Sequence, residues 1–94
     1  MGGTMEERAG GMLMAAAGAG NLTLLRHMSL VFESARGEEY HERALLAAVL
    51  AGRLDSVKML LESGVDPRAQ GCIEVARYHG HAMILAELTK AANC

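Results

Sequence analysis

The stretch Gly52-Arg53-Leu54-Asp55-Ser56-Val57-Lys58-Met59-Leu60-Leu61-Glu62-Ser63-Gly64-Val65-Asp66-Pro67 decides how the rest of the chain is read. Its apolar residues Leu54, Val57, Leu60 and Leu61 fall at three- and four-residue steps, the spacing of one helix face. Asp55 stands in the first turn of that helix, where a carboxylate meets the positive end of the dipole. Ser63-Gly64 supplies a stop, and Pro67 three residues later prevents the helix from resuming. Gly52 closes an earlier helix, because glycine enters the left-handed conformation without a Cβ penalty. The stretch reads as the second half of a helix–turn–helix unit.

Working outward, the same turn recurs. Ala16-Ala17-Gly18-Ala19-Gly20-Asn21-Leu22, Ala48-Val49-Leu50-Ala51-Gly52-Arg53-Leu54 and Ala76-Arg77-Tyr78-His79-Gly80-His81-Ala82 align on Gly20, Gly52 and Gly80, each with Ala four residues earlier. The offsets are 32 and 28 residues, and they carry other apolar residues into register. Leu13, Leu45 and Ile73 align before the glycine; Leu25, Val57 and Leu85, then Met28, Leu60 and Leu88, align after it. A fixed period of this length marks a repeat architecture, in which no unit can bury its own apolar face alone. The pattern predicts helices over about 10–18, 21–34, 41–51, 54–63, 71–79 and 81–92. Alanines on the first helix of each pair (Ala15, Ala16, Ala17; Ala47, Ala48) let neighbouring helices approach closely. Residues 1–9, polar and glycine-bearing, read as a flexible N-terminal arm. The repeat domain spans 10–94, in units of about 10–40, 41–70 and 71–94.

Composition supports an all-α fold. The 94 residues are 51% hydrophobic but only 3% aromatic, without tryptophan. Alanine, leucine and methionine carry the core, and all three favour helix. A formal net charge of −2 leaves no electrostatic footprint for nucleic acid or an anionic membrane surface. No apolar run approaches the length of a membrane span; Leu45–Gly52 falls far short. Glu6 and Glu7 near the start, without a basic leader, argue against a secretory signal. Two cysteines, Cys72 and Cys94, make no disulfide framework, so a reducing cytoplasmic or nuclear setting is expected.

Residues 52–67 resemble the second helix and exit turn of an ankyrin repeat. The family's Gly-His-Leu, two variable residues, Val, two variable residues, Leu-Leu and Gly-Ala-Asp is matched here with Arg53 for His and Val65 for Ala. Gly80-His81 restores the Gly-His pair in the third unit. The match departs elsewhere. The family's Thr-Pro-Leu-His aligns with Arg43-Ala44-Leu45-Leu46, where Leu45 alone survives, and Phe32 stands in the first unit where Gly64 stands in the second. The resemblance implies an ankyrin-like stack of helix–turn–helix repeats, an α-solenoid, that binds another protein through its concave face. Carried over by alignment, that face comprises Ala47, Leu50 and Ala51 in the second unit and Val75, Tyr78 and His79 in the third. The inter-repeat fingers add Glu39, Tyr40, His41, Arg68 and Gln70. The sharpest partner-binding set is Tyr40, His41, Ala47, Leu50, Arg68, Gln70, Tyr78 and His79. Tyr40 and Tyr78 stand out, since tyrosine combines large contact area with a polar tip.

Other chemistries are weaker. Cys72, His79 and His81 lack zinc-ligand spacing, so no metal is expected. Cys72 and His79 lie about two helical turns apart, too far for a nucleophile–base pair. The glycine-rich stretch 10–20 follows no strand and holds no lysine, so it is no phosphate loop. Neither catalysis, a cofactor nor a small-molecule substrate is expected. The end helices carry Met12, Leu13 and Met14 at one extreme and Met83, Ile84 and Leu85 at the other, with no evident polar cap. Apolar ends suit a second reading, a mainly structural subunit of a multi-protein assembly. A third, a small metal-binding or enzymatic protein, rests only on Cys72 and the histidines.

Overall fold

The computed structural model describes the backbone of residues 5–31 and 35–93, and the side chains of 11–27 and 39–93. Its elements are α1 (Met5–Ala19), α2 (Leu22–Val31), α3 (Ala35–Ala51), α4 (Leu54–Glu62), a 3₁₀ turn at Ala69–Gly71, α5 (Cys72–Tyr78) and α6 (Ala82–Ala92). The fold is all-helical, with no strand among the described residues. Helices pair as α1–α2, α3–α4 and α5–α6, and successive pairs touch. α1, α3 and α5 pack side by side in one layer, and α2, α4 and α6 in a second.

The three aligned glycines build one turn three times over. Gly20, Gly52 and Gly80 have φ of 73°, 71° and 71°, the left-handed region that favours glycine. In each turn the residue after the glycine donates its N–H back to the alanine carbonyl: Asn21 to Ala16 at 3.0 Å, Arg53 to Ala48 at 2.9 Å, His81 to Ala76 at 2.9 Å. The glycine N–H bonds in turn to Ala17, Val49 or Arg77 at 3.1–3.2 Å. This is the Schellman arrangement, which satisfies the carbonyls orphaned at a helix end. The same post-glycine residue opens the next helix, its carbonyl accepting from Leu25, Val57 or Leu85. Gly64 ends α4 similarly: φ is 95°, and Val65 N–H reaches the Leu60 carbonyl at 3.2 Å.

One core runs through both layers. Ala16, Ala48 and Ala76 are buried, so the alanine that accepts the turn bond also lies where helices meet. Leu13 and Leu45 are fully buried, as are Leu25 and Val57, while Ile73 and Leu85 in the last pair are half-buried. Leu60 and Leu88 are buried; the side chain of Met28, the third member of that register, lies outside the described residues, as do Phe32 and Cys94. Of the apolar end residues, Leu13 and Ile84 turn inward, whereas Met12 and Met83 are 50% and 70% exposed. Arg77 is exposed where α3 carries buried Val49, and Thr89 is exposed where α4 carries half-buried Leu61. The outer face of the last pair is therefore more polar than the expectation of apolar ends allowed.

Side chains from one turn also cover the previous glycine. Arg53 lies against Gly20, its Cδ 3.3 Å from where a Cβ would stand, and its Nε donates to the Gly18 carbonyl at 3.1 Å. His81 lies against Gly52, its Cε1 at 3.2 Å from the same point.

Two helix starts differ from the sequence expectation. α1 begins at Met5 rather than residue 10, so helix reaches into the segment read as an arm; residues 1–4 lie outside the described residues. Met5-Glu6-Glu7-Arg8-Ala9 is made of good helix formers with acids at the favourable end. α3 begins at Ala35 rather than 41, and a Glu39–Arg43 contact of 2.6 Å bridges one of its turns. Both partners are about half exposed, so the pair contributes only a few tenths of a kcal/mol.

Substitutions at glycines should split by backbone conformation. Gly11→Ala, inside α1 with nothing within 4 Å of an added Cβ, should stabilise the fold by about 0.5–1 kcal/mol. Gly52→Ala, at φ 71° with His81 in the way, should destabilise it by more than about 1 kcal/mol. Urea titration of the two variants compares them directly; equal effects would contradict the turn argument. The Ser56 hydroxyl is fully buried without a hydrogen-bond partner. Ser56→Ala should raise stability by about 1 kcal/mol in the same titration.

Candidate partner-binding surface

The layer of first helices buries one face and leaves the other open. On α3, Ala44, Leu45, Ala48 and Val49 are fully buried, whereas Leu50 is 51% exposed and Ala51 is exposed. On α5, Cys72 and Ala76 are buried and Tyr78 is 87% exposed. Leu50 and Tyr78 stand 28 residues apart, the offset of their glycines, so they occupy equivalent places on neighbouring helices. Gly18 is their equivalent on α1, and a Cβ added there would lie 3.9 Å from the Ala47 carbonyl oxygen. The open face therefore runs from exposed Ala15 and Ala19, past half-buried Ala47 and exposed Leu50, to half-buried Val75 and exposed Tyr78. Small residues keep it low, and two large side chains rise from it.

An aromatic chain continues from its edge. The Tyr78 and His79 rings meet edge-on, centroids 5.3 Å apart, and His79 stacks on His81 at 5.9 Å with 17° between planes. His81 rests on Gly52, two residues from Leu50. Leu50, Gly52, His81, His79 and Tyr78 are thus contiguous around the turns.

The structure separates the expected site residues into two groups. Ala47, Leu50, Tyr78 and His79 gather near the glycine turns. Tyr40, His41, Arg68 and Gln70 lie at the other end of the helices; Tyr40 and Leu50 alone are about 15 Å apart along α3. Glu39, Tyr40 and His41 were expected in a finger loop and instead lie inside α3. Tyr40 is half-buried against the core. Arg68 ties its loop to α6: Nη2 donates to the Ala92 carbonyl at 3.0 Å, and its own N–H bonds to Asp66 Oδ1 at 2.9 Å. A guanidinium on the last carbonyls of a helix is a stabilising contact. Gln70 has φ 56°, a left-handed conformation that costs a non-glycine residue about 1 kcal/mol. Arg53, Met83 and His81 were absent from the expected set. The only signal for the first and last was their place next to a turn glycine.

No family model matches this chain. No curated protein and no solved structure matches it either. Among the described residues, no helix is long and apolar enough to cross a membrane, and no three or more His, Cys, Asp or Glu side chains are grouped to hold a metal.

Cys72 opens α5 and His79 follows its last residue, so helix length separates the thiol from the imidazole. Burial pushes the Cys72 thiol up from its ordinary 9.0 to about 11, reinforced by the Glu42 and Glu74 carboxylates. A thiol kept protonated is a poor nucleophile. Folding favours its protonated form, so its contribution is intact below pH 9 and lost as pH rises towards about 11. In a Cys94→Ser background, Cys72→Ala should remove a pH-dependent loss on the order of 2 kcal/mol across that window. Urea midpoints at pH 8 and 10.5 measure it; parallel losses in both chains would refute the assignment.

Proposed function

We propose that the chain is an ankyrin-type repeat module that binds another protein through the open face of α1, α3 and α5. The observation that carries the reading is the pair Leu50 and Tyr78, held in register and exposed on helices whose opposite faces are fully buried. An exposed leucine and tyrosine on a surface of alanine and glycine cost nothing to the fold and offer anchors to a partner. Three near-identical glycine turns and the side-by-side helix pairs support the repeat part of the reading. An intracellular setting fits a buried, unpaired thiol.

A second reading, a structural subunit within a larger assembly, draws on Met12, half exposed on α1. The two readings differ in where contact falls.

A photo-crosslinking residue placed at position 78, in native extract, should capture one defined protein. The same residue at exposed position 58 on α4 should not. Leu50→Gln should strongly reduce the position-78 adduct while leaving the helical circular dichroism and its melting curve nearly unchanged, because Leu50 is half exposed and lies outside the core cluster. Adducts of equal yield from both positions would favour the subunit reading, and none from position 78 would remove the binding one.

A further inference from the structure

We propose that the turn end of the open face docks an acidic peptide segment, Asp- or Glu-rich around an aliphatic or aromatic anchor. This rests on the binding reading above and names the chemistry of its partner. α3 and α5 run towards the glycine turns, and α4 and α6 run away from them, so charge sorts along the helices. At the turn end stand Arg53 and Arg77, both exposed, beside His79 and His81, with Asp55 as the local acid. At the opposite end stand Glu39, Glu42, Glu62, Asp66 and Glu74, countered by Arg43, Arg68 and Lys90. The chain is net acidic, yet the end that bears Leu50 and Tyr78 is basic.

The helix starts at that end add a second attraction. α2 is capped by Asn21, whose Oδ1 accepts from Leu24 N–H at 3.1 Å. α4 and α6 begin at Arg53 and His81, and neither supplies a side-chain cap. Their first-turn N–H groups lack a side-chain acceptor, and a visiting carboxylate meets that need as well as the dipole. No ion pair engages Arg53 or Arg77 among the described residues; Arg53 spends one N–H on the neutral Gly18 carbonyl and keeps its charge. Leu50, Tyr78 and 70%-exposed Met83 provide apolar contact beside these charges. Carboxylates therefore steer and orient, and the anchor supplies burial. A polyanionic nucleic acid would use the charges but leave the leucine and methionine idle.

Selection from a random peptide library on the immobilised full chain tests this. Enriched peptides should carry acids flanking an apolar residue. A labelled selected peptide, read by fluorescence anisotropy, should bind at least about threefold more tightly than its Asn/Gln version, and lose affinity as salt rises. Arg77→Glu should weaken it by a similar factor and Arg77→Lys should restore it, with affinities compared well below each melting transition, since a glutamate in the last turn of α5 opposes the helix dipole and lowers stability modestly. Three results would overturn the acidic chemistry: enrichment without acidic bias, indifference to Arg77→Glu, or tighter binding of a single-stranded oligonucleotide than of the peptide. All three leave the binding reading standing if the position-78 adduct persists. An empty selection without that adduct removes both.

Discussion

Everything in the structure depends on a backbone turn that only glycine makes cheaply. At Gly20, Gly52 and Gly80 the chain enters the left-handed region, ends one helix and starts the next within two residues. Two hydrogen bonds close each turn, and the carbonyl at its base belongs to an alanine. That alanine is buried where helices meet, so a short side chain and a turn acceptor are required at the same position. Local geometry and tertiary packing thus impose one residue for two reasons.

With so few aromatics, the core relies on aliphatic contact between closely spaced helices. Alanine and glycine bring α1 against α3, and leucines fill the space between the layers. The side chains of Arg53 and His81 extend that order to the turns, each lying on the glycine of the preceding pair. Gly80 has no such cover within 4 Å, and the last pair carries exposed Arg77 and Thr89 in place of the apolar residues of the middle pair. Polarity at that end lets the last pair meet water, whereas Met12 leaves the first pair more apolar.

Function, on the reading proposed, belongs to the face the core does not use. Burying one side of α3 and α5 aims the other outward, and Leu50 and Tyr78 reach solvent there. Basic groups gather at the same end because the residues flanking the turn glycines are Arg53, Arg77, His79 and His81, while acids populate the far ends of the helices. The separation is a consequence of helix direction as much as of composition.

Much of this was legible in the residues alone. The period of apolar side chains and the recurring Ala-x-x-x-Gly determined the helix pairs, their turns and most buried positions, because those signals are local and repeat in register. Leu50, Tyr78 and His79 were named as surface candidates only through the ankyrin resemblance, and all three are exposed. Tyr40, His41, Arg68 and Gln70, named with them, lie at the other end of the helices. Tyr40 and His41 continue a helix whose early start no periodic apolar pattern announced, and Arg68 serves the end of α6, a helix 24 residues away when counted to Ala92. Which helix end lies beside which, and so where charge gathers and which side chains converge, was decided only by packing, since the direction of each helix exists only once the turns have closed.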